Sequence, residues 1–580
     1  MNVYGNVFIL DCMNLNQDFD VIVVGSGISG GWAAKEFCEK GFKTLVIERG
    51  RMVKHIKDYP TANMDTWELA HRNKNTIAAR QANPVLSQHY AYSEATSHFY
   101  MHSGEQDYIQ EKPFHWIRGY QVGGKSLLWA RQTQRWSDYE FNSPQRFDYG
   151  IDWPIRYQDI EQWYTHVERF IGVSGAKDGI ANMPDSEVVG AFEMNAVEKH
   201  IVESVRKNFT DRRAIIGRTA NLSHLKDEQR AQGRSRCMAR ALCERGCPFG
   251  AYFSSNASTL PTAEKTGNLT IVTDAVVDKI LYDEQLGKAT GVQVIHTGDK
   301  TKSIYTAKVI FLNAATLNSN LILLNSKSAA FPNGLGNKNG LLGRYITFHN
   351  YRGRITARMP GFEHDYYYGR RPTQIFMPAF KNIDTVTPDF KGTYLLAFSA
   401  HRQSWNKKAD HLGLGAAYKD ALLEAGAWNI SMMMQGEVLP RHENHVRLSE
   451  NKVDKYGIPQ LITSVDYDQN DINMMEDFFK EGSAILAKAG CTDIKTLDQH
   501  EIFGRQPGLE VHDMGGVRMG NDPETSLLNG YNQMHHCKNV FVTDGACMIS
   551  TGNQNPSLTF MALTARAADY AVEQMQNGDL

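Results

Sequence analysis

The six residues Gly25-Ser26-Gly27-Ile28-Ser29-Gly30 constrain this chain more than any other stretch. They stand between a β-branched run, Phe19 to Val24, and a segment of helical composition, Ser29 to Lys40. A glycine-rich turn in that position holds a pyrophosphate: Gly25 permits the tight turn, Gly27 lets backbone approach the phosphates, and Gly30 lets the helix pack on the strand. The helix N-terminus adds aligned N–H donors and partial positive charge. Gly41 stops the helix, Lys43 to Ile47 makes a second strand, and Glu48 follows 23 residues after Gly25. That is close to the roughly 20 expected for a carboxylate that accepts hydrogen bonds from an adenosine ribose, and it disfavours a 2′-phosphate. A glycine turn without a ligand is the plainer alternative, but it requires no acid at that position. The unit predicts a parallel sheet at the N-terminal end and does not say which dinucleotide it binds.

At 580 residues the chain needs two or more structural units. Its 42% hydrophobic and 22% charged residues describe an ordinary globular protein and argue against disorder or fibre. With 62 basic and 64 acidic residues the net charge is −2, so no global field draws the chain to nucleic acid or an anionic membrane. No apolar run reaches the roughly 18 to 20 residues that span a bilayer, and no export signal is recognisable. Met13 precedes the first strand, so residues 1–12 read as a leader or an upstream start.

Eight cysteines are too few for a disulfide scaffold. Cys12, Cys38, Cys491, Cys537 and Cys547 are scattered and read as small buried apolar residues. Cys237-x5-Cys243-x3-Cys247-Pro248 is different: three closely spaced thiols before a proline suit an iron–sulfur cluster. Zinc with a fourth ligand elsewhere and plain thiols or a disulfide stay open as alternatives.

The rest of the chain reads as mixed α/β units without internal repeats. Residues 60–150 are rich in aromatic and loop residues. A β-meander is expected from Asn268 to His296 with its turn at Leu286-Gly287-Lys288, then a strand from Lys308 to Leu312 and a helix from Leu317 to Leu324. Residues 340–505 alternate strands such as Thr393 to Ser399 with amphipathic helices such as Asp471 to Ala489. A strand at Val540 to Thr543 and a helix from Leu558 to Met575 close the chain.

Several strings carry a family resemblance. RGYQVGGKSLLWARQ, VIFLNAATLNSNLILL, VHDMGGVRMGNDP and VTDGACMISTGNQNPSLT together resemble the glucose-methanol-choline (GMC) oxidoreductases, in their sugar-oxidising branch. The resemblance runs from about residue 18 to the C-terminus and is least specific from 330 to 500. It implies an α/β fold, with a Rossmann-type FAD-binding domain of discontinuous segments and an α+β substrate domain built on an antiparallel sheet. The expected division is 13–165, 226–330 and 506–580 for the FAD-binding domain, 166–225 for a helical insertion and 331–505 for the substrate domain.

The resemblance also implies site residues. Gly123, Gly124 and Ser126 match the flavin loop, Val276 lies in the strand that meets adenine, and Asp544-Gly545 meets the ribityl or pyrophosphate region. Asn555-Pro556 opens the last helix beside the isoalloxazine, where positive dipole charge stabilises reduced flavin. Ser26, Ser29 and Arg49 complete the implied cofactor set. The catalytic pair is His512 and Asn555, 43 positions apart. An imidazole near neutral pKa suits removal of a hydroxyl proton as hydride leaves the carbinol carbon, and an amide suits holding the same oxygen. Related pyranose oxidases attach flavin through a histidine in the flavin loop. Leu128 stands there, so FAD is expected to be noncovalent, with His98 and His115 as nearby competitors.

The cysteine spacing resembles that of bacterial FAD-dependent glucose dehydrogenase catalytic subunits, which implies a 3Fe–4S cluster on Cys237, Cys243 and Cys247 relaying electrons outward. The segment from Trp153 to Gly175 looks like one common in the sugar-oxidising branch. Trp129, Tyr366, Tyr367 and Tyr368 are candidates to stack on a pyranose, whereas Trp153 and Trp163 read better as a buried helix junction. The expected activity is oxidation of a sugar or glycoside hydroxyl, C3 of a glucoside before C2 of an aldonate. An oxygen-using sugar oxidase and a silent flavin-binding assembly protein are the alternatives. A small partner subunit and a cytochrome c acceptor are implied by relatives, and a partner can carry an export signal, which leaves cytoplasm and periplasm both open.

Overall fold

The computed structural model describes residues 19–366, 369–402, 414–423, 426–503 and 506–580. Met13, Cys12 and the rest of the first 18 residues, together with Tyr367 and Tyr368, lie outside the described residues. The chain opens as β1 (Phe19–Val24), α1 (Ile28–Glu39) and β2 (Thr44–Ile47). Val21, Ile22 and Val23 are fully buried. Such continuous burial marks a parallel strand covered on both faces, which is why FDVIVV is apolar without alternation.

Three more parallel strands join from far along the chain: β3 (Leu269–Val272), β4 (Lys302–Leu312) and β5 (Cys537–Val542). The spatial order is β5-β4-β1-β2-β3 with every neighbour parallel, and Gln533–Met534 adds an antiparallel edge to β5. The closing helix α2 (Ser557–Asn577) packs beside α1. A Rossmann-type sheet is thus assembled from discontinuous segments.

β4 is longer than the sequence suggests. Its inner half, Ala307 to Leu312, pairs with β1, while Lys302 to Thr306 pairs antiparallel with the Lys288–His296 strand of the meander. The outer half alternates exposed and half-buried residues, so its apolar signal is weak. The meander turn spans residues 284–287, between Ala275–Asp283 and Lys288–His296, and includes the expected Leu286 and Gly287.

The second sheet is antiparallel throughout. Its order is Thr492–Asp498, Gly353–Met359, Trp428–Glu437, Tyr394–Arg402, Ile375–Met377 and Ile215–Ile216, with His349–Asn350 pairing at the end of Trp428–Glu437. The helix Gln469–Lys488 covers it, burying Met474, Phe478 and Ile485 with Ile355 and Met432. Asp468 caps that helix by accepting from the Asn470 and Asp471 amides. A small third sheet joins Ile109–Gln110 to His445–Val453 and Pro459–Ser464.

Candidate active site

A single cavity of about 1340 Å³ runs from the end of β1 to the antiparallel sheet. It exceeds the roughly 300 to 1,000 Å³ of ordinary ligand pockets, enough room for a dinucleotide and a second molecule. At its β1 end Gly25 has φ +93°, and a Cβ there would lie 2.4 Å from Asn313 O. A Cβ on Gly30 would lie 1.8 Å from Gly25 O, so this glycine serves helix packing and does not face the cavity. Gly27 does face it, with nothing within 4 Å of a built Cβ. The turn therefore separates packing glycines from one that leaves space for a ligand.

Glu48 is buried at the cavity wall. One carboxyl oxygen accepts from Ser26 N at 3.1 Å and Ser26 Oγ at 2.5 Å, the other from Gly50 N at 3.0 Å. Burial raises its pKa, and these bonds oppose the rise. Ser26 Oγ also accepts from Gly123 N at 2.9 Å, which docks the Gly123-Gly124 loop on the Gly25–Gly30 turn. Ser126 fastens that loop by donating to Gly123 O and accepting from Ser255 N. Gly124, Ser126, Ser29 and Val276 line the cavity, whereas Gly123 stands behind it. Arg49 lines it too, with its guanidinium over the Tyr120 ring at 4.7 Å and 3.8 Å from Asp454. Asp544 accepts from Ser319 Oγ and Ala546 N, and burial pushes its carboxyl up to about 6. Gly545 follows with no room for a side chain, since Thr316 Oγ1 would meet a Cβ at 2.4 Å.

His512 and Asn555 reach the same cavity, as do Pro556 and Ser557 at the start of α2. Backbone register explains where His512 sits. Thr347 and Met514 exchange both amide bonds at 2.9 Å as an antiparallel pair. Counting two residues outward on each side puts His349 opposite His512. Their Nδ1 atoms are 2.8 Å apart, and His349 Nε2 lies 3.0 Å from Gly552 O. His349 is fully buried, and burial lowers its basicity to about 4. His512 is held well below the ordinary histidine range by burial, by His349 and by Lys125. Tyr351 donates to Gln435 Oε1, and Gln435 Nε2 in turn holds Asn553 O at 2.9 Å. Asn553 donates to Thr393 Oγ1 and Gln554 to Glu140 Oε1, so the loop carrying Asn555 is tied on three sides.

Comparison with known proteins decides the family. A GMC oxidoreductase N-terminal model matches residues 20–350, and a GMC oxidoreductase C-terminal model matches residues 440–564. The chain belongs to the GMC oxidoreductase family. It is 26% identical to a 2-methyl-1,2-propanediol dehydrogenase of Mycolicibacterium austroafricanum, over 95% of this chain and 94% of that one. It is 24% identical to the fructose dehydrogenase large subunit of Gluconobacter japonicus, over 96% and 98%, and to paromamine 6'-oxidase of Streptomyces fradiae, over 96% and 92%.

GMC oxidoreductases use FAD, and the residues of this one fit it. Gly27 leaves a gap at the turn, and among the described residues Asn313 Nδ2 and Asn555 Oδ1 are buried without a hydrogen-bond partner. Leu128 lines the cavity, while His98 and His115 do not.

The three clustered cysteines also line the cavity as half-buried free thiols. Burial raises Cys237 and pushes Cys243 up to about 11, with the Arg131 charge opposing the rise at both. Among the described residues, no group of three or more His, Cys, Asp or Glu side chains is arranged to hold a metal ion. Cys38, Cys491, Cys537 and Cys547 are buried, as their scatter suggests.

Trp153 belongs to the core and donates to Ser550 Oγ. Trp129 and Tyr366 line the cavity, but the Trp129 indole N–H is used by Phe253 O. Sequence reasoning missed His349, Tyr351 and the role of Lys125. It also missed Glu510, which faces the cavity with its carboxyl pushed up to about 8 by burial. The only signal for His349 and Tyr351 was strand parity in TFHNY, which puts both on one face. No helix of the described residues is long and apolar enough to cross a membrane.

Proposed function

We propose that this GMC oxidoreductase is a dehydrogenase of a sugar or glycoside secondary hydroxyl, C3 of a glucoside first, that holds FAD noncovalently. The observation that carries the reading is that His512 and Asn555 share one cavity with the Gly25–Gly30 turn and Glu48. Bound flavin supplies the hydride acceptor. His512 keeps its proton-accepting form at neutral pH, because its basicity is depressed, and takes the hydroxyl proton as the carbinol hydrogen departs. The Asn555 amide fixes the hydroxyl oxygen, and the Tyr351–Gln435–Asn553 chain holds its loop in place. Lys125, 3.7 Å from Asp513, keeps positive charge near His512 and favours an alkoxide-like oxygen there.

Cationic side chains beyond this corner, Arg352 and Arg354, suit a polyhydroxylated substrate better than an apolar one. Relatives named for fructose and for paromamine support a sugar-type alcohol. An external electron acceptor, a small partner subunit and a 3Fe–4S cluster on Cys237, Cys243 and Cys247 form the part of the proposal that rests on sequence resemblance. A relative named as a large subunit supports the partner.

The test is anaerobic addition of glucosides, aldonates and simple alcohols to the purified flavoprotein, followed through the flavin band and by product regiochemistry. Bleaching by glucosides with a 3-keto product supports the reading, and bleaching by apolar alcohols alone refutes the sugar assignment. About three irons per chain would establish the cluster, and iron-free protein that still passes electrons to an acceptor would remove it.

A further inference from the structure

Proton positions in the imidazole pair follow from what each neighbour can donate. His349 Nε2 lies 3.0 Å from Gly552 O, and a carbonyl oxygen only accepts, so that nitrogen carries a hydrogen. Burial keeps His349 from taking a second proton near neutral pH. Its Nδ1 is therefore bare, and it faces His512 Nδ1 at 2.8 Å. Two bare nitrogens at that distance would oppose lone pair to lone pair. The hydrogen between the rings thus belongs to His512 Nδ1, and neutral His512 has none left for Nε2.

We propose that His349 is a positioning residue: anchored on Gly552 O, it holds His512 as the Nδ1–H tautomer and so presents an unprotonated Nε2 to the cavity. This rests on the reading of His512 as the base. Without His349, the imidazole is equally able to carry its hydrogen on Nε2, where it cannot accept from a hydroxyl. When Nε2 takes the substrate proton, the Nδ1–H is already directed at an acceptor, so the cation forms without a ring flip. Three features hold the anchor still. The Thr347–Met514 pair fixes both histidine backbones. The ring planes stand at 78° with centroids 4.9 Å apart. Gly552 has φ +57°, with Glu140 and Trp136 atoms 3.0 Å from a built Cβ, so the carbonyl has little freedom. Gly552 and Asn555 also share one loop, so the anchor sets base and amide relative to each other.

The direct test is 15N spectroscopy of histidine-labelled, FAD-loaded protein, with His512 assigned by its loss in His512→Gln. The proposal expects a pyrrole-type Nδ1 and a pyridine-type Nε2 for His512, and the reverse assignment overturns it. Two variants add a kinetic readout. His349→Asn places a carbonyl oxygen where Nδ1 stood, whereas His349→Leu fills the space without an acceptor. Flavin content and melting temperature are followed for both. The Leu variant is expected to lose about 100-fold in kcat with KM little changed, and the Asn variant to recover to within about 10-fold of the parent. Equal losses in the two variants, or an unimpaired Leu variant, contradict the proposal. If the parent oxidises no alcohol, the assignment of His512 as base fails, while the nitrogen spectra still decide the tautomer.

Discussion

The turn proposed to receive the dinucleotide is six consecutive residues and would work mainly through backbone. The corner around His512 is assembled from side chains of His349, Tyr351, Gln435, His512 and Asn555, as far as 206 positions apart. In the turn, space is the functional quantity: Gly25 and Gly30 have none to spare and Gly27 leaves a gap. In the corner it is hydrogen-bond polarity, set by which nitrogen carries a proton and which oxygen is left to accept. A local device of the first kind tolerates distance from the rest of the fold, whereas the second depends on two sheets keeping their register.

The largest effect should come from the corner. His512→Ala is expected to lower kcat/KM about 1,000-fold while flavin content stays at the parent level. If flavin is lost along with activity, the two regions are not separable as described. Next comes the turn. Gly30→Ala drives a Cβ to 1.8 Å from Gly25 O and should cost about 3 kcal/mol of stability in denaturant melts. Gly27→Ala meets nothing within 4 Å, so it should melt like the parent and weaken only FAD binding. Matching melts for the two alanine variants would break the distinction between packing and ligand glycines.

A smaller effect is expected for Tyr351→Phe, which removes the donor to Gln435 two bonds away from the Asn555 loop. About 10-fold in kcat, with unchanged FAD affinity, would be consistent with a net hydrogen bond of about 1.4 kcal/mol. The least dramatic test is the acid limb of kcat/KM. His512 titrates below its ordinary 6.5, so the neutral base persists, and activity stays level, down through that value. Activity is then lost as pH falls through the depressed pKa. An acid limb centred above 6.5 would mean that the corner is more open to water than its burial indicates.

The two regions also differ in how much the sequence told. FDVIVVGSGISG shows strand, turn and helix in one reading frame, because a parallel strand is apolar on both faces and the ligand needs glycine at fixed places. His512 and Asn555 were found through strings that resemble a family, not through spacing. His349 was not found, because its role exists only once the Thr347–Met514 pair sets a register across 167 positions. The outer half of β4 was missed because alternation there leaves little apolar signal. Cys237, Cys243 and Cys247 mark the opposite limit: their spacing is legible in the sequence, and the structure adds only that they are half-buried thiols on the wall of the same cavity.

The most direct test of the central claim is anaerobic stopped-flow absorption on the parent and His512→Ala, each loaded with FAD and mixed with a glucoside. The account predicts bound FAD in both, rapid bleaching in the parent and bleaching slowed about 1,000-fold in the variant. Equal bleaching rates, or a parent that takes up no FAD after reconstitution, would contradict it.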